Sequence, residues 1–258
     1  MPLPAAPAAR PDPRCPGNCA RQPLGFEFAY AFQPIVDVPG RRVWGHEALV
    51  RGPDGEPAPT VLRQVTPDNR YRFDQACRVK AIRSAAEIGL QERLSINFLP
   101  NAIYRPEVCI QTTLESARAH GWPIERLVFE ATEGEQITDA AWLAEVLTEY
   151  QRMGFLTALD DFGAGYAGLN LLANFQPDLV KLDMELVRGV HASRPRQAIA
   201  HGVLRICQEL GITVIAEGVE TADERDFFLH AGVRLMQGYW FARPAFGQRA
   251  EVDASVWG

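Results

Sequence analysis

The sequence predicts an α/β fold, a closed TIM-like (β/α)8 barrel with one antiparallel strand near the N-terminus. Eight short runs rich in Val, Ile, Leu and aromatic residues recur along the chain, and helical periodicity separates most of them. Strands that alternate with helices favour a mainly parallel sheet. Eight such repeats in about 215 residues favour closure into a barrel over an open sheet.

The eight predicted strands all lie after residue 26. They are residues 31–37, 44–51, 94–100, 127–133, 156–163, 179–183, 213–219 and 235–241. Only residues 38–42 separate the first two strands, a hairpin-length link that is too short for a helical crossover. One of these two strands must therefore run antiparallel to its neighbours.

The predicted helices have recognisable faces and ends. Apolar residues recur on one face of residues 138–153, and a second such face lies within residues 197–210, at Ile199, Val203, Ile206 and Leu210. Thr221 with Glu224 forms the capping-box pattern that opens a helix. Five glycines each follow a helical segment and precede a strand, as a left-handed C-terminal cap requires: Gly89, Gly121, Gly154, Gly211 and Gly232.

Length and composition limit the classes of protein. The 258 residues are 47% hydrophobic and 22% charged, which is ordinary for a globular chain. No run approaches the roughly 20 apolar residues of a membrane span, and no basic region followed by an apolar stretch marks a secretory signal. We therefore expect a cytoplasmic protein without a membrane partner. The formal net charge of −6 argues against binding to a DNA or RNA polymer.

We predict three regions: a flexible Pro-rich leader over residues 1–25, a barrel over 26–250 and a C-terminal tail over 251–258. Seven prolines and few large apolar residues leave the leader unable to bury enough surface to order itself. Cys15 and Cys19 lie within it, but a zinc or iron–sulfur site normally needs four ligands and no second pair lies nearby. They are interpreted as ordinary thiols, with an intersubunit half-site or a redox pair as alternatives.

Seven polar or charged residues close apolar, strand-like runs, and five of the seven are acidic. They are Glu47, Asn97, Glu130, Asp160, Asp161, Lys181 and Glu217. A carboxylate in such a position is expensive to bury without a cation. Catalytic groups of a barrel gather at the carboxyl ends of its strands, so we expect these side chains, with Gln237, to converge there.

The adjacent carboxylates Asp160 and Asp161 indicate a metal site. Neighbouring carboxylates repel, and both stay ionised at low cost only with a shared cation or two cations. Oxygen ligands without His or Cys suit Mg²⁺ or Mn²⁺. Two such ions would activate a water for phosphoester hydrolysis. Lys181 would hold that water or neutralise phosphate charge, and Glu217 would accept a proton or hold a metal-bound water. The alternative is that each acid only forms a salt bridge where a loop starts.

Eight motifs follow one another between residues 28 and 245. They are Gln33-Pro34-Ile35-Val36, Glu47-Ala48-Leu49-x-Arg51, Asn97, Glu130-x-x-Glu133, Asp160-Asp161-Phe162-Gly163, Lys181-x-Asp183, Ala216-Glu217-Gly218-Val219-Glu220 and Gln237-Gly238-Tyr239. In this order they resemble the motifs of EAL domains, the phosphodiesterases that linearise cyclic di-GMP. The sequence segments FDQAC, SINFLPNAIY and FQPDLVKLD are similar to segments of EAL domains found with BLUF blue-light sensors.

The resemblance implies hydrolysis of one phosphodiester bond of cyclic di-GMP to linear pGpG, by water activated with two Mg²⁺ or Mn²⁺ ions. It implies that the first ion is bound by Glu47, Asn97, Glu130 and Asp160. Asp160 and Asp161 would bridge to or bind the second ion. Lys181 would contact the attacking water, and Glu217 would be the general base or a water-mediated metal ligand. Contacts to the substrate and its site would come from Gln33, Arg51 and Gln237.

The resemblance also implies coupling between metal binding and dimerisation. Glu133 resembles a glutamate that anchors the loop at residues 161–169 without touching substrate. The common form of that loop is DFGTGYSSL, whereas this chain lacks three hydroxyl groups there, at Ala164, Ala167 and Gly168. Each lost hydrogen bond is worth about 0.5–1.5 kcal/mol net, so the strength of coupling is left open. We expect a homodimer through residues 161–176 and a separate regulatory protein as a candidate partner.

Two other functions are weighed against hydrolysis. One is a receptor that binds cyclic di-GMP without turnover and signals through a protein partner. EAL-like receptors usually lose metal-binding acids, whereas every metal position matches in this chain. The other is a scaffold that acts only through protein contacts, which would leave the strand-end acids without a purpose. The intact acids therefore favour the enzyme.

Overall fold

The computed structural model describes residues 23–103, 105–132, 140–164 and 168–257. Its strands are β1 (Ala29–Asp37), β2 (Arg42–Arg51), β3 (Arg93–Asn97), β4 (Leu127–Thr132), β5 (Leu156–Phe162), β6 (Leu179–Leu182), β7 (Thr213–Ala216), β8 (Leu235–Met236) and β9 (Ala245–Phe246). Its helices are α1 (Ala58–Leu62), α2 (Arg70–Glu87), α3 (Pro106–Cys109), α4 (Gln111–Ala119), α5 (Ala140–Arg152), α6 (Gly168–Asn174), α7 (Met184–Val187), α8 (Arg194–Leu210) and α9 (Ala222–His230).

Strand β1 runs against the rest of the barrel. It pairs antiparallel with β2 across the short link at residues 38–41, and antiparallel with β8 on its other edge. Neighbouring strands from β2 to β8 are all parallel. Because β1 joins both β2 and β8, the eight strands close into a ring. The predicted barrel with one antiparallel strand is confirmed, and the reversed strand is the first of the two.

The last part of the barrel differs from the predicted strands. Strand β8 ends at Met236, and the chain then turns through Gly238 against the backbone of Val219, which accepts from Trp240 N at 3.0 Å. A Cβ at Gly238 would collide with that backbone, so the turn needs glycine. The sequence did not predict β9, a two-residue strand that pairs with β1 and adds to the sheet outside the ring.

The helix ends agree with the local sequence signals. All five predicted cap glycines have positive φ. Thr221 accepts from Glu224 N, and the Glu224 side chain returns to the Thr221 backbone, which confirms the capping box. Helix α8 begins three residues before the predicted start because the Ser193 side chain caps it, and Pro195 suits its first turn.

The barrel interior has an apolar layer below a polar one. The apolar layer consists of Ile35, Val128, Ala158, Leu179, Ile215 and Leu235. Each of them is two residues from a predicted site residue, namely Gln33, Glu130, Asp160, Lys181, Glu217 and Gln237. Side chains two apart on a strand point to the same face, so the polar layer stands directly on the apolar one.

Helix α8 presents the apolar face predicted for residues 197–210 to the outside. Ile199, Ile206 and Leu210 are 52, 37 and 41% exposed, whereas Ala200 and Cys207 form its buried side. The apolar periodicity predicted which residues share this face of the helix, but it does not predict whether the face is buried. Within the described residues, no helix combines the length and the apolar character that a membrane crossing requires.

Candidate active site

Lys181 lies at the centre of the polar layer. Its Nζ is 2.8 Å from Glu217 Oε1 and 2.9 Å from Glu130 Oε2. The same atom is 3.1 Å from Asp160 Oδ1 and 3.4 Å from Glu47 Oε2. The ammonium is fully buried, and its partners come from β2, β4, β5 and the residue after β7. One cation therefore faces four carboxylates at one end of the barrel.

The carboxylates form two groups that share Asp160. Glu47, Glu130 and Asp160 offer oxygens that lie within 4.8 Å of one another, and so do Asp160, Asp161 and Glu217. These donors are all oxygen atoms, which hard divalent cations such as Mg²⁺ and Mn²⁺ prefer. A carboxylate common to two groups is also what a pair of nearby cations needs. The residues present thus fit divalent metal.

The backbone at the end of β5 brings both adjacent acids to the same side. Asp161 has φ of 54°, and the β5–β6 pairing shifts register between Leu159 and Phe162. Consecutive side chains of a regular strand point to opposite faces, so this irregularity is required for Asp161 to reach the group of Asp160. A left-handed non-glycine residue costs roughly 1–3 kcal/mol, although Asp tolerates it better than most.

Two amide side chains hold Glu47 in place. Gln237 Nε2 donates to Glu47 Oε2 at 2.7 Å, and Asn97 Nδ2 donates to Glu47 Oε1 at 3.0 Å. Gln237 Nε2 also lies 3.2 Å from Gln33 Oε1, and Gln33 pairs with Glu47 in the β1–β2 register. Gln237 Oε1 is buried and has no hydrogen-bond partner among the residues that the structure describes, which leaves an acceptor beside the carboxylates.

Ser95 belongs to the site although it was not predicted. Its hydroxyl donates to Glu130 Oε1 and is buried. Ser95 is two residues before Asn97 on β3, so strand alternation places both on the inner face. That spacing was available in the sequence, but a single serine in an apolar strand carries too weak a signal.

Burial, together with neighbouring carboxylates, raises the pKa of three acids of the site, Glu130, Asp161 and Glu217. Burial, with Glu47 and Asp160 nearby, raises the pKa of Glu130 to about 8 despite the opposing effect of Lys181. The pKa of Asp161 rises to about 6 for the same reasons, and that of Glu217 rises well above its ordinary value. Burial is the largest cause of each shift and neighbouring carboxylates add to it, so a further cation among these acids would oppose the shifts and favour the ionised forms.

Burial alone would lower the pKa of Lys181, but the surrounding carboxylates outweigh it. Asp160, Glu130, Glu217 and Glu47 together raise this pKa well above the ordinary value. The lysine is therefore charged throughout the neutral range. It acts as a fixed cation among the acids and cannot serve as a proton acceptor.

Two cavities meet at Leu49. The first, of about 230 Å³, is lined by Lys181, Gln33, Gln237 and Tyr239 together with four of the acids, Glu47, Asp160, Asp161 and Glu217. The second, of about 300 Å³, is largely apolar and contains Arg51 and Asn97. Arg51 lies outside the carboxylate cavity, and its Nη1 donates to Val50 O at 2.7 Å.

Some predicted residues are not described. Glu133 and Ala167 lie outside the described residues, whereas Ala164 is exposed at the end of β5 and Gly168 begins α6. The roles assigned to these loop residues stay predictions.

The EAL domain family profile matches residues 20–244. This chain belongs to the EAL domain family. The family prediction is thereby confirmed. The matched range covers both carboxylate groups and Lys181.

Several curated proteins are similar to this chain in sequence. The blue light- and temperature-regulated antirepressor BluF of Escherichia coli K12 is 34% identical over 227 residues, which are 88% of this chain and 56% of BluF. Other curated relatives are named cyclic di-GMP phosphodiesterases. The chain spans about half the length, or less, of these curated relatives.

Two solved EAL structures superpose closely. A standalone versatile EAL protein from Vibrio cholerae O395, in its c-di-GMP bound form, shares 50% identity with a TM-score of 0.88, over 91% of this chain and 99% of that chain. A manganese/cy-diGMP complex of Klebsiella pneumoniae BlrP1 at pH 9.0 shares 38% identity with a TM-score of 0.80, over 94% of this chain and 59% of that chain.

Proposed function

We propose that this EAL domain hydrolyses one phosphodiester bond of cyclic di-GMP and releases linear pGpG. The observation that carries the proposal is the buried Lys181 ammonium among four carboxylates at the strand ends. A receptor that only binds the dinucleotide has no need for so costly a cluster. Relatives named cyclic di-GMP phosphodiesterases support this substrate and this reaction.

Two Mg²⁺ or Mn²⁺ ions complete the proposed site. The first would be held by Glu47, Asn97, Glu130 and Asp160, and the second by Asp160 and Asp161, in line with the two groups of acids. When bound, such ions lower the pKa of water and offset the charge of the phosphate. The oxygen-only donor set supports this choice of metal.

The remaining residues orient water and substrate. Lys181, already within 3 Å of Glu130 and Glu217, is placed to orient the attacking water. Glu217, whose Oε1 lies 2.8 Å from Lys181 Nζ, is placed to accept the proton of that water or to hold a metal-bound water. Gln33 and Gln237 face the same cavity and would contact the dinucleotide there. Arg51 would contact it from the neighbouring cavity.

The second candidate is a cyclic di-GMP receptor that acts through a protein partner. One observation favours it: BluF, a relative covering most of this chain, is named an antirepressor. The altered loop, with Ala164 where the family has a hydroxyl residue, adds some support. The complete set of acids at the proposed metal positions favours the enzyme over the receptor.

The test is chromatographic. Purified protein incubated with cyclic di-GMP and Mn²⁺ or Mg²⁺ is expected to form pGpG, and excess EDTA is expected to stop the reaction. Addition of Mn²⁺ beyond the chelator should restore it. Unchanged substrate at saturating metal, with cyclic di-GMP still bound in equilibrium dialysis, would instead establish the receptor.

A homodimer is the proposed assembly, through residues 161–176. Leu169 in this segment is 58% exposed. Light scattering is expected to give twice the chain mass, and Leu169→Asp should give the monomer. A monomeric wild-type protein with full activity contradicts the proposal. The cytoplasmic location and the separate regulatory protein stay predictions.

A further inference from the structure

A buried ion pair lies on the outer side of the barrel wall, away from the carboxylate cavity. Arg78 and Asp74, both on α2, are 0 and 2% exposed. Arg78 Nη2 lies 2.5 Å from Asp74 Oδ2, and Arg78 Nη1 donates to Tyr150 Oη at 2.9 Å. Buried ion pairs often add little stability over well-packed apolar residues. Stability alone therefore does not account for this pair.

Asp74 forms a hydrogen bond with the backbone that follows β3. Its second oxygen, Oδ1, accepts from Leu99 N at 2.9 Å. One residue earlier, Phe98 N donates to Glu130 O at 3.0 Å. The two residues after Asn97 are thus fixed on one side by β4 and on the other by Asp74. Asn97 itself donates to Glu47.

Arg78 packs against two aromatic rings next to the end of β3, those of Phe98 and Phe129. Its guanidinium carbon is 5.6 Å from the centroid of Phe98 and 5.3 Å from that of Phe129. Phe98 directly follows Asn97, and Phe129 directly precedes Glu130. Neighbouring residues on a strand point to opposite faces, so Arg78 packs behind the two positions whose inner faces carry site residues.

We propose that Asp74 and Arg78 are positioning residues for the metal-binding side chains Asn97 and Glu130. The inference rests on the proposed function. Asp74 sets the position of the Leu99 amide and hence the end of β3. Arg78 neutralises Asp74 and holds Phe98 and Phe129 against the outside of the wall. Loss of the pair lets the strand end shift, and the two ligands lose their alignment.

The test replaces both charges together, because one charge left alone in the interior could unfold the protein. The double variant Asp74→Leu with Arg78→Met removes the bond to Leu99 N. The double variant Asp74→Asn with Arg78→Met keeps an acceptor for that amide. Mn²⁺ affinity is measured by calorimetric titration without substrate, and kcat and KM are measured with cyclic di-GMP at saturating Mn²⁺.

The Leu/Met variant is expected to bind Mn²⁺ roughly 10–100-fold more weakly, the usual effect of losing a group that orients metal ligands. Its kcat should fall by more than its KM for cyclic di-GMP rises, and a change in KM is allowed because Asp74 also lines the second cavity. The Asn/Met variant should recover most of the affinity. Phe228→Leu, a core change on α9, serves as a control for lost thermal stability and should leave Mn²⁺ affinity unchanged.

Unchanged Mn²⁺ affinity in a folded Leu/Met variant overturns the inference, as does a wild-type protein that binds no Mn²⁺. Equal losses in the Leu/Met and Asn/Met variants would also contradict it, because the bond to the Leu99 amide would then be irrelevant. If wild type binds Mn²⁺ without forming pGpG while the Leu/Met variant binds it weakly, the positioning role holds and hydrolysis is what fails.

Discussion

Replacing Asp160 by Asn is expected to lower pGpG formation by about 10³-fold while the barrel stays folded, a loss in the range seen when one preorganised electrostatic group is removed. Asp160 is the acid that both carboxylate groups share, so the change weakens both proposed metal positions. Asn keeps the shape, and its amide oxygen can still accept the bond from Asp161 N. The measurement is pGpG release at saturating Mn²⁺, with thermal unfolding recorded on the same sample.

Asp178→Asn is the matched control for that substitution. Asp178 is a half-buried acid that accepts from Thr157 N at 2.8 Å, near the opposite ends of the strands. The same loss of charge there should leave turnover close to that of wild type. Near-normal turnover in Asp160→Asn would mean that the metal assignment is wrong.

Replacing Lys181 by Met is expected to destabilise the metal-free protein by roughly 3–5 kcal/mol, the usual cost of removing one partner of a buried ionic group. Four carboxylates then lose their common cation. Added Mn²⁺ should restore much of that stability, because it supplies positive charge at the same place. Turnover should fall by about 10²-fold or more even with metal bound, since the water loses an orienting group.

The loss of stability in Lys181→Met should depend on pH. A carboxyl whose folded-state pKa exceeds its unfolded value binds extra protons when folded, and that stabilisation is lost as pH rises through the folded pKa. For Glu130 the window runs from about 4.5 to about 8. The loss in Lys181→Met should therefore be larger at pH 8 than at pH 6.

Thermal unfolding with and without Mn²⁺ at both pH values measures this effect. Lys80→Met is the control, because Lys80 pairs with the exposed acid Glu27 and contacts Phe28, well away from the carboxylate groups. Equal stability of wild type and Lys181→Met in the absence of metal would show that the lysine does not hold the acids together.

Local patterns predicted most of the barrel because each element carries its own signal. The glycine caps, the Thr221 capping box and the apolar runs are short-range features. The two-residue strand β9 lacks such a signal. It forms because β8 pairs only with Val36 and Asp37 of β1, which leaves Ala31 and Phe32 for β9. Which of the first two strands is reversed was likewise unreadable, because a hairpin link is symmetric in that respect.

The carboxylates were predictable because a charged residue that ends an apolar strand contributes little to packing and is costly to bury. Glu130 and Asp160 each stand two residues above an apolar side chain of the inner layer. Asp74 and Arg78 were not predictable, because on a helix they resemble an ordinary i,i+4 surface pair. Only the packing of α2 on the barrel reveals that they are buried behind Asn97. Arg51, in turn, donates to the carbonyl of Val50 and lines the second cavity, a placement that no sequence pattern encodes.

The two layers inside the barrel also bear on how reliably the chain folds. A slip of β4 or β5 by one residue would turn Glu130 or Asp160 toward the helices and move Phe129 or Leu159 inward. Each such slip would bury an unpaired acid and remove one of the four carboxylates around Lys181. The residues that form the candidate site therefore penalise every wrong strand alignment, and substitutions that remove the acids should give barrels that assemble less accurately.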